Sequence, residues 1–138
     1  MSYQTVKEGL VKVLMKQGFT EGQDVFSFDD ESDQSINRKY RLDRSEIGFD
    51  NAEYLNGLLR PEATYTLGLA FKMSNEKHRF DYDVAQNVTD ALTAYIANPA
   101  NFVAFCTILK INGIKSEAKD GFLEVTFALR ITDDLTLT

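Results

Sequence analysis

The chain has 138 residues, a formal net charge of −6, one Cys and one His. That length suits one domain, 1–138, which buries about two-thirds of its unfolded surface without staples; the lone Cys106 excludes an intramolecular disulfide. The acidic balance argues against a conventional nucleic-acid groove, because neutralising phosphates with Lys and Arg supplies most non-specific affinity.

In chain order, Val6, Leu10, Val13 and Leu14 fall on one helical stripe and Gly18 follows as a stop signal, which predicts a helix over 3–17. Its start is polar, with no signal-peptide pattern, and no run approaches the ~18 apolar residues of a membrane span. A cytoplasmic compartment and no membrane partner are expected. Gly9 costs this helix ~1 kcal/mol relative to Ala, the mark of a close neighbour or of tolerated slack. Residues 24–33 read as a strand fragment or loop that ends in an acidic turn.

Ile36, Tyr40 and Leu42 alternate with Asn37, Lys39, Arg41 and Asp43, so 36–44 reads as a strand whose exposed side is basic. Over 45–62 the periodicity weakens. There 53–60 predicts a helical turn stopped by Pro61, inside a long mobile loop that offers Phe49, Tyr54, Leu55 and Leu58 to a partner. Tyr65, Leu67, Leu69, Phe71 and Met73 alternate with small residues and predict a strand. Val84, Val88, Leu92 and Ile96 recur every four residues and predict a helix over 83–97, with Asp81 or Asp83 at its start and Asn98-Pro99 at its end.

The closing segment reads as a long hairpin, with strands over 102–112 and 122–132 joined by the polar segment 113–121. Its second strand has period two, while the first is apolar on both sides. The fold class is therefore α+β: an antiparallel or mixed β-sheet with two helices packed on one face and a long C-terminal hairpin. Two helices cover one side only. The other is expected to carry Phe102, Ala104, Ile108, Ala70, Gly68, Thr126 and Ala128 as an apolar patch, which points to self-association.

Catalytic chemistry is not evident. His78 stands in a polar turn and reads as an exposed spectator. Asp29, Glu31 and Asp33 at alternating positions suggest a calcium loop, but Gln34 replaces the sharp-turn Gly and Tyr40 the bidentate Glu, so a solvated acidic loop is the reading. No glycine cluster forms a phosphate cradle, and the pairs Asp81/Asp83 and Asp133/Asp134 suit a helix start and a frayed end. No catalytic residue, cofactor or metal is assigned. Arg38, Lys39, Arg41 and Arg44 surround Tyr40 and read as an inter-subunit face that meets acids of the 24–33 segment on a neighbour; a nucleic-acid strip is the competing reading. The interface set is Arg38, Arg41, Phe102, Ile108 and Ala128.

The order of a helix, a strand over 36–44, a long loop, a strand over 65–73, a helix over 83–97 and a hairpin resembles the tail-terminator, or tail-completion, proteins of long-tailed bacteriophages. The likeness covers nearly the whole chain and rests on element order and lengths, without a diagnostic motif. It implies a small α+β domain, not an enzyme, made in the host cytoplasm. It also implies a homo-oligomeric ring, usually hexameric, that caps the finished tail tube and joins it to the head connector in the virion neck. Partners would be sister copies, tail-tube and connector proteins, and DNA only in passage, past Asp29, Asp30, Glu31 and Asp33 facing the channel. Alternatives are another tail or neck component, a ligand-binding α+β domain with a pocket lined by Tyr40, Tyr65 and Phe105, and a host-directed regulator.

Overall fold

A computed structural model describes residues 3–21, 37–55, 58–101, 108–119, 121–132 and 135–136. The elements are α1 (Tyr3–Lys16), β1 (Thr20–Glu21), β2 (Lys39–Leu55), β3 (Leu58–Lys72), α2 (His78–Ile96), a 3-10 turn (Pro99–Asn101), β4 (Ile108–Lys119), β5 (Phe122–Thr132) and β6 (Leu135–Thr136). The strands form one mixed sheet in the order β1-β2-β3-β5-β4, with β6 paired to the start of β3. β1 runs parallel to β2; the other pairs are antiparallel. This is the α+β class that alternation and helical stripes implied.

Period two decides which side of the sheet is dry. Tyr65, Leu67, Leu69 and Phe71 of β3 and Leu123, Val125, Phe127, Leu129 and Ile131 of β5 point to one face. They form a single buried cluster with Val6, Leu10, Val13 and Leu14 of α1 and Ala85, Val88, Leu92 and Ile96 of α2. Both helices therefore cover the same face. Thr89, polar yet buried on α2, donates its hydroxyl to the Ala85 carbonyl at 2.8 Å, which removes the cost of an unmet donor.

The helix ends are fixed by local chemistry. Gly18 adopts φ 81°, its N–H bonds to the Met15 carbonyl, and the Phe19 N–H reaches back to Leu14, both at 3.0 Å. This pair of bonds caps a helix whose chain turns left-handed at a glycine. α2 begins at His78 rather than at 83, because Asp81 anchors an earlier turn: its carboxylate accepts from the Ser74 N–H at 2.8 Å and the Ser74 hydroxyl at 2.9 Å. The Ser74 N–H, foremost, holds the Asp81 carboxyl below the usual aspartate range.

Two segments differ from expectation. The strand expected over 36–44 runs on to Leu55, and 58–62 belongs to β3, so the expected loop over 45–62 and the helical turn over 53–60 are replaced by a hairpin pairing Glu53 with Arg60, Tyr54 with Leu59 and Leu55 with Leu58. Pro61 does not end a helix. It stands opposite the irregularity between Gly48 and Glu53, where a residue without an N–H costs the ladder nothing. In the C-terminal hairpin, β4 continues through the expected connector to Lys119, and Lys119 pairs with Phe122. The turn is thus two residues, with Gly121 at φ 82°, in place of the expected segment 113–121.

Candidate assembly surfaces

Four surfaces remain once the core is accounted for. The first is the sheet face away from the helices. Register places on it Lys39, Arg41 and Asp43 of β2, Thr64, Thr66 and Gly68 of β3, Glu124, Thr126, Ala128 and Arg130 of β5, and Lys110, Lys115 and Glu117 of β4. Arg41 Nε lies 2.9 Å from Asp43 Oδ2, and Arg130 Nε lies 3.8 Å from Glu62 Oε1. Of the apolar patch expected here, Ala70 is buried together with Phe122, Gly68 and Thr126 are half-buried, and Phe102 and Ala104 lie outside the described residues. Ala128 is exposed. Gly, Ala and Thr read as apolar in a string, yet they present little hydrocarbon to water.

The second surface is the outer edge of β4. From residue 112 to 118 every side chain is exposed, on both faces of the strand, and Ile114 retains 40% of its surface. On the helix side, a long contact of 3.5 Å between Gln86 Nε2 and Ser116 Oγ is what reaches it from α2. Among the described residues no strand pairs with its outer side, and the strand carries an irregularity between Ile111 and Gly113. Ile108, expected at an interface, is the first residue of this edge strand.

The third is the ribbon of β2 and β3 beyond the core. Leu42 and Ala63 belong to the buried cluster, and residues 43–47 of β2 are exposed. β3, with 15 residues, spans ~50 Å at the strand rise, whereas α2, with 19, spans only ~28 Å. Phe49, Tyr54, Leu55 and Leu58, expected on a mobile loop, stand on this paired ribbon.

The fourth is the basic start of β2, and here the subunit uses its own side chains. Arg38, at φ 54°, donates from Nη1 to the Gln17 carbonyl at 2.6 Å, closing the end of α1. Within the subunit it thus serves as a cap. Lys7 Nζ and Glu21 Oε1 meet at 2.8 Å and fasten β1 to α1; that hydrogen bond raises the Lys7 ammonium above its usual range. Tyr3 stacks on Tyr65 at 6.3 Å and donates its hydroxyl to the Leu42 carbonyl at 3.0 Å.

Other expectations are placed as follows. Tyr40 and Tyr65, offered as pocket walls, are 4% and 1% exposed and belong to the core; burial, foremost, raises the Tyr40 phenol. His78 is the exposed first residue of α2. Phe102, Ala104 and Phe105, and the acids Asp29, Asp30, Glu31 and Asp33, lie outside the described residues. Among the described residues no group of three or more His, Cys, Asp or Glu side chains is placed to hold a metal, and no helix is long and apolar enough to cross a membrane.

The β4 edge and the paired ribbon were missed in the sequence, although both left a signal. Asn56-Gly57 and Asp120-Gly121 are dipeptides that tight hairpins favour. In comparison with known proteins, the chain matches no family model and no curated sequence.

Proposed function

We propose that this chain is a structural assembly protein of a long-tailed phage, a tail-terminator that closes the finished tail tube as a homo-oligomeric ring and presents the joint to the head connector. The observation that carries the reading is the edge of the sheet at β4, which no strand among the described residues pairs and whose residues 112–118 are exposed. A protomer of a closed ring needs two different complementary surfaces, one for each neighbour. Exposed edges that serve no purpose are an aggregation hazard, and so long an open edge is best understood as a joint. The net charge of −6 per copy, multiplied around a ring, keeps duplex DNA from adhering as it passes. Asp29, Asp30, Glu31 and Asp33 are proposed to contribute at the channel. A ligand-binding alternative loses support because two of its pocket residues are packed in the core.

The test is mass in solution at high protein concentration, followed by negative-stain imaging alone and with purified tail tubes. Closed rings, or rings seated on tube ends, are the expected result. A protein that stays monomeric and leaves tube ends bare would overturn the proposal.

A further inference from the structure

Resting on the assembly reading, we infer that the outer edge of β4 on one copy pairs antiparallel with the outer edge of β2 on a second copy, so that one sheet runs across the seam. Strand direction permits it. β2, β3, β5 and β4 alternate in direction across the sheet; a neighbour related by rotation about an axis along the strands therefore brings its β2 antiparallel to β4.

Charge selects this pairing over its rivals. β4 carries three lysines against one glutamate, whereas β2 from Arg41 onward carries four acids against two arginines. Two β4 strands would set lysine-rich edges together, and two β2 strands would oppose acids. Lysines on an edge are a common guard against promiscuous pairing. Here they repel a second β4 and admit an acidic strand.

Register narrows it further. Lys115 and Glu117 share the open face with Arg41 and Asp43, through the partners Thr126, Glu124, Gly68 and Thr66. Setting Lys115 opposite the neighbour's Asp43 sets Glu117 opposite Arg41, so each cross-strand pair is of unlike charge. It also brings the irregularity between Arg44 and Glu46 beside the one between Ile111 and Gly113. The seam starts at Arg41, because β1 already occupies the edge of β2 at Lys39 and Tyr40; the Leu42 carbonyl, which accepts the Tyr3 hydroxyl, has a second lone pair for the neighbour's strand.

The experiment uses the full chain with Cys106→Ser as background. A Lys115→Cys/Asp43→Cys variant, treated with a short bis-maleimide at the concentration where the chain associates, is expected to give a ladder that extends beyond dimer on a denaturing gel. Either single variant is expected to give none. In parallel, Lys115→Glu is expected to weaken association by about tenfold and added Asp43→Lys to restore it, with circular dichroism unchanged throughout. Rings without the ladder would overturn the seam and leave the assembly reading standing. So would cross-linking that stops at dimer, or that needs Lys115→Cys/Glu117→Cys instead. A mass that stays monomeric at every concentration, with tube ends left bare, would overturn both.

Discussion

β5 and β4 are hydrogen-bonded neighbours of nearly equal length, 11 and 12 residues, with opposite fates. β5 buries every second side chain, and Val125, Phe127, Leu129 and Ile131 retain no exposed surface. β4 exposes both faces from 112 to 118. The difference comes from position: β5 lies between two strands under α2, whereas among the described residues β4 has β5 on one side only. A strand in the middle folds the domain, while one at the rim is spare for other work.

The sharpest way to break this comparison is to cut both ends of one rung. Phe127 and Ile114 are direct partners on the helix side. Phe127→Ala is expected to cost about 3–5 kcal/mol, from lost burial and the cavity left behind. Ile114→Ala, one strand further out, is expected to cost about 0.5 kcal/mol or less. Urea unfolding of the two variants reads the ratio, and equal losses would erase the distinction between centre and rim.

The helix ends that pin the cover to the centre give intermediate effects. Gly18→Ala forces a Cβ into the left-handed region at φ 81°, 3.4 Å from Arg38 Nη1, and is expected to cost about 1–2 kcal/mol in thermal or urea unfolding. Asp81→Asn weakens the bonds to Ser74 and is expected to cost about 1 kcal/mol at neutral pH, after discounting for its partial exposure. The sign with pH follows from the depressed carboxyl. Its stabilisation is full above the ordinary aspartate value of about 3.9 and is lost as pH falls through the lower folded value. The stability gap between wild type and Asp81→Asn is therefore expected to close in acid. A gap constant down to low pH would contradict that role.

Much of the dry face was legible in the sequence, and the rim was not. Tyr65 to Met73 and Leu123 to Ile131 alternate without exception, and the four-residue spacing from Val84 to Ile96 leaves no other reading. Between 45 and 62 the strand pattern is interrupted twice, by the irregularities after Arg44 and after Gly48. Each shifts the inward phase, so alternation fades where the strand persists. Leu55, Leu58 and Leu59 then mimic helical spacing and obscure Asn56-Gly57. The polar run after Gly113 resembles a loop because an edge strand exposed on both sides has no face to keep apolar. The bond from Arg38 to a carbonyl at the end of α1 is set by tertiary structure and leaves no pattern in sequence.

The central claim is that the centre of this sheet serves folding and its rim serves assembly. Amide hydrogen exchange of the full chain, compared between dilute and concentrated samples, tests it most directly. The account predicts that protection rises with concentration along β4 and along β2 beyond Leu42, while β3 and β5 are protected equally in both. Gains confined to the helix surfaces, or none anywhere as association proceeds, would contradict it.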